Sequence, residues 1–211
     1  MGQKYDVTGL PEAQYEPGSR RLVLKNMLDI KKKPEMDQLE AVALKQTEDA
    51  LFRKYGAQHC FTAKDICYAH ELWLGKIYSW AGQYRKVNIS KADFPFASAA
   101  QVPQLMEKFE KEQLAKYTPC NFKDRRSIVK ALAEVQVEFI LIHPFREGNG
   151  RLARLLATLM VLQAGLPLLD FSVIKGKKRD KYFAAVRAGL DRDYVPMEEV
   201  FREILKATFS Y

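Results

Sequence analysis

The chain of 211 residues lacks the features that would anchor it in a membrane or stabilise it by disulfides. No apolar run is long enough to cross a bilayer, and the first residues are too polar to resemble a signal peptide. The three cysteines, Cys60, Cys67 and Cys120, are an odd number and contain no Cys-x-x-Cys pair. These absences predict a protein that is made in a reducing cytoplasm and is not inserted in a membrane.

Histidine is also scarce, with three residues in the whole chain. His59 and His70 lie near Cys60 and Cys67, but their spacing does not match the usual paired ligands of zinc. A buried thiol with a surface histidine is the better interpretation of that group. The third histidine, His143, lies in a different setting.

Acidic residues are outnumbered by basic ones, which gives a net charge of +8 and a sequence pI near 9.3. Basic runs occur at residues 31–33 and 175–179. Such runs are usually solvated faces, so a specific nucleic-acid partner is disfavoured; the charge could instead attract a nucleotide or an acidic protein surface. The length and a hydrophobic content of 47% fit one globular domain.

Apolar residues recur at helical spacing through most of the chain, which predicts an all-α domain. Helices are expected at residues 36–55, 62–82, 100–116, 127–142, 152–162, 180–190 and 196–205. Residues 84–89 alternate instead with a period of two, and Phe94 to Phe96 follow a polar turn at 90–93. This pattern predicts a short hairpin that lies on the helices, with an extended connector as the alternative.

One segment combines a base, an acid, glycines and two cations: residues 143–151, with the sequence HPFREGNGR, followed one turn later by Arg154. The glycines that flank Asn149 allow a left-handed or otherwise strained backbone and predict a nest of amides for an anion at the start of a helix. A histidine such as His143 can take a proton near neutral pH, and Glu147 is a hard oxygen ligand suited to Mg²⁺. On chemistry alone, the segment predicts a polyphosphate site with a proton acceptor. It is not a P-loop, and the alternative is a simple turn between two helices.

The segment resembles the signature of the Fic family, His-x-Phe-x-Asp/Glu-Gly-Asn-Gly-Arg-x-x-Arg, at every specified position. The stretches 77–82 and 84–91 also resemble the helix end and the flap hairpin of that family. The resemblance implies a Fic fold, all-α with a small β-hairpin flap, over residues 21–211, preceded by a polar leader at 1–20. It also implies a bacterial protein, with delivery into a host cell left open.

The activity implied by this resemblance is protein AMPylation: AMP passes from ATP, bound with Mg²⁺, to a Tyr, Ser or Thr hydroxyl of a target protein. His143 would be the base, and Glu147 would hold the metal. Arg151 would meet the β-phosphate and Arg154 the γ-phosphate, whereas Phe145 would point into the core. The implied nucleotide-binding residues are Arg146, Glu147, Gly148, Asn149, Gly150, Arg151 and Arg154. The implied target-docking flap residues are Val87, Asn88, Ile89, Ser90 and Lys91.

Two questions of function stay open from the sequence. Tyr182 is a candidate for the adenine wall, although core packing is the better interpretation. The competing functions are a basic helical domain that binds a nucleotide or nucleic acid without turnover, and a Fic relative that transfers another phosphate-containing group. A labelled-ATP experiment separates these functions.

Restraint of the activity is the last expectation from the sequence. Many Fic proteins carry an inhibitory helix with the motif Ser/Thr-x-x-x-Glu-Gly/Asn, whose glutamate pairs with the second motif arginine, Arg154 here. The nearest match runs from Thr8 to Glu12, but Ala13 follows, and Gly9 and Pro11 disfavour a helix. The resemblance therefore implies a toxin-like protein restrained by a small, separate antitoxin-like partner.

Overall fold

The computed structural model describes residues 9–91, 94–174 and 176–209 of the chain, with the side chain of Lys177 left aside. Helices dominate these residues, and the predicted all-α class with a small hairpin is confirmed. The helices are α1 Lys33–Lys54, α2 Ala63–Leu74, α3 Val102–Phe109, α4 Ala115–Tyr117, α5 Arg125–Ile142, α6 Asn149–Gln163, α7 Lys177–Ala188 and α8 Val195–Thr208. A π-helical stretch, Glu110–Leu114, joins α3 to α4.

Local sequence signals set several helix starts. Thr62 and Asp65 form the predicted capping box at the start of α2, each side chain accepting the backbone amide of the other residue. Asp124 caps α5 by accepting the Ser127 amide at 2.8 Å. Pro196 lies in the first turn of α8, where its missing amide leaves no helical bond unmade.

The centre of the fold is α5, which packs against α3, α6, α7 and α8. Leu132, Val137 and Phe139 of α5 are almost fully buried, as expected of a helix that is apolar on nearly all sides. A second, smaller cluster joins α1 to the turns that follow α2, around Met36, Trp73 and Ile77. The catalytic candidate His143 and the loop after it begin where α5 ends.

The helix predicted to run to Gly82 ends earlier, at Leu74. Gly75 follows, a residue of low helix propensity, and the chain continues as a series of turns. Ile77 and Trp80 are nevertheless buried, 2% and 6% exposed, in the smaller cluster. The helical spacing of these residues therefore correctly predicted that they are buried. The helix predicted from the same spacing is wrong beyond Leu74.

The predicted hairpin exists and its second strand lies at the predicted Phe94 to Phe96, but its first strand lies later than residues 84–89. β1 Ser90–Lys91 pairs antiparallel with β2 Phe94–Pro95, and the predicted turn falls partly at residues 92–93, outside the described residues. Arg85 and Val87 do alternate inward. However, the carbonyl of Val87 accepts the Arg85 guanidinium rather than a strand amide, so the buried alternation belongs to an irregular segment.

The described part of the leader packs against the domain, whereas residues 1–8 lie outside the described residues. Pro11–Ala13 forms a 3-10 turn, from which Glu12 accepts the Lys86 amide with Oε1 at 2.6 Å. Tyr15 forms an antiparallel bridge with Leu24. The boundary at residue 20 stays a prediction. Within the described ranges, no helix combines the length and apolar character needed to cross a membrane.

Candidate active site

His143 is placed at the last turn of α5 by a strained backbone. Its φ of 52° and ψ of 61° lie in the left-handed region, which is uncommon for a residue other than glycine. The His143 amide donates to Phe139 O at 3.0 Å, and its carbonyl accepts Arg85 Nε at 2.7 Å. Strain of this kind persists only where the surroundings enforce it and often marks a functional position.

The His143 ring is held as a neutral base. Its Nδ1 lies 3.2 Å from Ile140 O, and a carbonyl can only accept, so Nδ1 carries the proton and Nε2 keeps its lone pair. Phe96 of the flap stacks on the imidazole with centroids 3.7 Å apart. Burial lowers the pKa of His143 to about 4, and the nearby cations Arg85 and Lys91 act in the same direction. The imidazole is therefore unprotonated at neutral pH and able to accept a proton.

The loop after His143 is closed by Asn149. The Asn149 side chain is 2% exposed, and its amide exchanges two hydrogen bonds with the Phe145 backbone, at 2.9 Å and 2.7 Å. Phe145 is fully buried, as the resemblance implied. Because the Asn149 side chain is used inside the loop, any donors for an anion at this position come from the backbone.

His70 is a second buried histidine behind this loop. Gly82 N donates to His70 Nδ1 at 2.8 Å, so Nε2 carries the proton and donates to Glu147 O at 3.1 Å. The ring stacks on Phe145 at 4.0 Å, and burial lowers the pKa of His70 to about 4. The sequence favoured a surface histidine over a zinc ligand, and the surface position is wrong for His70, which is 0% exposed. Its position on the apolar stripe of α2, between Ile66 and Trp73, was the available signal for a buried role.

The two glycines of the loop have different reasons to be glycine. Gly148 takes φ +84°, and a Cβ there would lie 2.5 Å from Trp73 Cζ3. Gly150 lies inside α6 without a positive φ and has open space around it, so the conformational freedom expected of both glycines is used at Gly148 and not at Gly150. The amides of Asn149 and Gly150 have no acceptor among the described residues. They lie at the start of a 15-residue helix, which favours an anion.

Arg151 is fixed from three sides. Its guanidinium lies 4.5 Å above the Trp73 ring, and Nη2 donates to Glu147 Oε1 at 3.2 Å. Nη1 lies 2.7 Å from Glu40 Oε2, and the Glu40 side chain is 4% exposed. Sequence reasoning missed Glu40. Its place on the buried face of α1, in register with Met36 and Thr47, is the signal that could have found it.

The remaining cations of the segment have different surroundings. Arg154 forms no ion pair among the described residues, and burial lowers its pKa. Arg146 instead faces the leader, donating Nε to Glu12 O at 2.8 Å.

Tyr182, the candidate adenine wall, accepts a hydrogen bond from Gln136 Nε2 at 2.7 Å. The fold thus gathers His143 and residues 147–151 in one loop, while Arg146 contacts another segment.

The flap contacts the loop through Phe96, which stacks on His143, and Arg85 holds the base of the flap. The Arg85 side chain is buried, and its guanidinium donates to the carbonyls of Val87 and Ala97 on the two sides of the hairpin. Asn88 accepts the Ala99 amide at 2.8 Å. At the tip, Lys91 Nζ lies 4.8 Å from the centre of the Phe183 ring. The predicted docking residues therefore divide between a fixed base and an exposed tip.

Glu147 has the chemistry expected of a ligand for Mg²⁺. Its side chain is 44% exposed, and among the described residues only Oε1 is engaged, by Gly148 N and Arg151. Mg²⁺ usually takes one or two protein carboxylates together with substrate phosphates. One accessible carboxylate beside a nest of amides fits that pattern.

The fold and this loop define a helical domain in which the amides at the start of α6 follow a neutral histidine. Residues 60–161 match the Fic/DOC family. The chain therefore contains a Fic domain.

Two relatives illustrate the similarity. The chain is 27% identical over 172 residues to the protein adenylyltransferase VbhT of Bartonella schoenbuchensis, covering 77% of this chain and 33% of VbhT. It is 25% identical over 196 residues to the probable protein adenylyltransferase y4lH of Sinorhizobium fredii, covering 90% and 93%. The chain thus spans about a third of VbhT but nearly all of y4lH.

Solved structures share the fold. The BepC protein of Bartonella tribocorum, crystallised with AMPPNP, superposes with a TM-score of 0.72 over 93% of this chain and 97% of that chain, at 22% identity. The Fic domain of a Bartonella quintana effector with bound ADP gives a TM-score of 0.71 at 24% identity, covering 91% and 94%.

Proposed function

We propose that this chain is a protein adenylyltransferase that transfers AMP from ATP to a Tyr, Ser or Thr hydroxyl of a target protein. The acceptor oxygen attacks the α-phosphorus, the bond to the bridging oxygen of pyrophosphate breaks, and the hydroxyl proton passes to His143 Nε2. VbhT and y4lH are named as an adenylyltransferase and a probable one, and BepC and the Bartonella quintana Fic domain were crystallised with AMPPNP and ADP.

The observation that carries the proposal is the segment 143–151, where a neutral histidine is followed by helix-start amides that have no acceptor in the part of the chain that the structure describes. The open space at Gly150 supports close approach of a phosphate, since no protein contact requires a glycine there. Transfer of this kind depends mainly on positioning and charge stabilisation, which amides and arginines provide.

Roles follow for the other site residues. Asn149 and Gly150 would bind phosphate oxygens through their amides, and Gly148 would do so once its amide leaves Glu147 Oε1. Arg151 would lie at the β-phosphate and Arg154 at the γ-phosphate. Glu147 would hold Mg²⁺, which when bound neutralises phosphate charge. Arg146 is proposed to support the loop from the leader side. Val87, Asn88, Ile89, Ser90 and Lys91 would dock an extended target segment along the flap.

The proposal is tested with a bacterial lysate and ATP labelled at either the α- or the γ-phosphate. We expect label on protein from α-labelled ATP alone, and none with His143→Ala. His59→Ala is the matched control, because His59 contacts Asp65, away from the loop. Transfer of γ-label would indicate phosphorylation, and ATP binding without label in either arm would indicate a binding protein.

Restraint by a separate partner is the finer part of the proposal. Glu12, the nearest candidate for an internal inhibitory glutamate, contacts the Lys86 amide, and Arg154 has no ion pair among the described residues. A partner carboxylate could therefore occupy the Arg154 guanidinium and exclude the γ-phosphate. Expression of the chain alone in the bacterial cytoplasm should arrest growth, whereas the His143→Ala form should not. A rise in the activity of the isolated chain on Glu12→Gly would instead show internal restraint.

A further inference from the structure

Glu40 is the most deeply buried carboxylate in contact with the candidate site, and no step of the proposed reaction uses it. Its Oε2 accepts Arg151 Nη1 at 2.7 Å, and its Oε1 accepts the Tyr78 hydroxyl at 2.8 Å. Its backbone carbonyl accepts Trp73 Nε1 at 2.8 Å. Both carboxylate oxygens are therefore engaged, one of them by an arginine of the site loop.

The contact between Glu40 and Arg151 is buried, which bears on why a carboxylate occupies position 40. A buried ion pair often adds little stability over a well-packed apolar pair, because both charges lose their hydration. On the core-facing side of α1, an apolar residue at position 40 would satisfy packing alone, as Met36 and Leu51 do on the same helix. The retained carboxylate is thus better explained by what it does to Arg151 than by folding.

The two carboxylates on Arg151 differ in exposure. The Glu147 side chain is 44% exposed and its contact is longer, 3.2 Å, so water and ligands compete for it. The Glu40 side chain is 4% exposed and is itself fixed by Tyr78, whose pKa is raised by burial and by Glu40, which keeps the hydroxyl protonated as a donor. Only Glu40 provides a contact to Arg151 that is shielded from solvent.

Trp73 completes the arrangement. The same ring lies under the Arg151 guanidinium and against Gly148, while its indole nitrogen donates to the Glu40 carbonyl. Glu40 therefore fixes both the edge of the guanidinium and the ring beneath it. The Arg151 Nε and the remaining N–H groups of its Nη atoms are left to donate elsewhere.

We propose that Glu40 is a positioning residue for diphosphate recognition: it holds Arg151 so that its remaining donors face the β-phosphate of the nucleotide. This inference rests on the proposed function, because it takes the nucleotide to be the ligand of the loop. It assigns Glu40 no contact with the nucleotide. Loss of Glu40 should therefore matter only for ligands that carry a β-phosphate.

The test is calorimetric binding of ATP, ADP and AMP, with Mg²⁺, to the whole chain and its variants. Glu40→Leu should lower the affinity for ADP and ATP about 10-fold, because the loss of one charge-assisted hydrogen bond has an effect of roughly that size. The affinity for AMP should change by less than about twofold. Glu40→Gln keeps the shape of the side chain and one acceptor oxygen, so it should lose less affinity for ADP and ATP than Glu40→Leu does. Thr47→Val, buried two turns along the same face of α1, is the control for helix packing and should bind all three normally.

A double variant decides whether Glu40 acts through Arg151. In an Arg151→Ala background, Glu40→Leu should have no further effect on ADP binding, because the residue it positions is gone. Equal loss of AMP and ADP, an unchanged or increased ADP affinity, or additive losses in the double variant would each overturn the proposal. Failure of the unmodified chain to bind ATP would instead count against the proposed function itself.

Discussion

The floor of the candidate site, residues 143–151, and its roof, the flap at residues 84–97, are stabilised in different ways. The floor joins two buried helices, and its loop is closed by Asn149 with His70 and Trp73 packed behind it. The roof has strands of only two residues and depends on the Arg85 guanidinium at its base. A rigid floor can hold phosphates in a fixed geometry, whereas an exposed flap edge can accept different target segments.

The largest expected effect falls on the floor. His143→Ala should reduce transfer at least about 1,000-fold, because a general base acts in the transition state. Its affinity for ATP should stay within about twofold, measured by calorimetry beside the transfer assay. If this variant lost ATP affinity as strongly as Arg151→Ala does, His143 would be a binding residue and its role as a base would be wrong.

Arg85 joins roof and floor, so its loss should affect both. Arg85→Met leaves the buried carbonyls of Val87, Ala97 and His143 without their donor, and we expect a loss of about 4 kcal/mol in the free energy of unfolding by urea. Arg126→Met, at an exposed position of α5, is the control and should change it by less than about 0.5 kcal/mol. Similar values for the two variants would show that the roof is not tied to the floor through Arg85.

The two glycines of the floor are predicted to differ in their roles: Gly148 is needed for folding, and Gly150 for binding of the nucleotide. Gly148→Ala should cost about 3 kcal/mol of unfolding free energy, from the left-handed backbone and the clash with Trp73. Gly150→Ala should leave stability within about 0.5 kcal/mol, because its Cβ meets no atom, yet it should weaken ATP binding. Normal ATP binding by Gly150→Ala would contradict the proposed approach of phosphate at this residue.

The smallest effect concerns the contact between Phe96 of the roof and the His143 ring. Burial is the main reason why the pKa of His143 lies at about 4, so Phe96→Leu should raise that pKa by about one unit, read by NMR titration. The base works only when neutral. The rate should therefore be flat above about pH 5.5 in the unmodified chain and fall as the pH approaches 4, and the fall should begin at higher pH in the variant. An unchanged pKa would show that the flap does not desolvate the base.

Protonation of His143 also makes the stability of the fold depend on pH. The folded-state pKa of His143 lies below its usual value of 6.5, so the unfolded chain binds more protons between pH 6.5 and 4. His70 shifts in the same direction. Both histidines therefore make the fold less stable as the pH falls through that window.

The sequence was sufficient to predict most of the helices and the order of residues in the site loop, because both depend on residues close together in the chain, but it placed the end of α2 too late. The helical spacing gave α5 and α6, and the motif gave the order of His143, Glu147 and Arg151. The first strand of the flap was predicted too early, because the buried alternation at Arg85 and Val87 reflects side-chain hydrogen bonds rather than strand pairing. The second strand was predicted in the right place.

The partners of buried polar groups could not be predicted, since they lie far apart along the chain. Glu40 meets Arg151, His70 meets Glu147, and neither pairing has a local sequence pattern. The sequence does show that a polar residue occupies a helical position that faces the core. Such a residue requires a partner, although the sequence does not say which one.

The central claim is tested most directly by mass spectrometry of the lysate proteins after incubation with the chain, ATP and Mg²⁺. The account predicts an AMP group on a Tyr, Ser or Thr side chain of at least one protein, absent from the His143→Ala sample and present with His59→Ala. A phosphate alone on the target, or an AMP group that persists without His143, would contradict it.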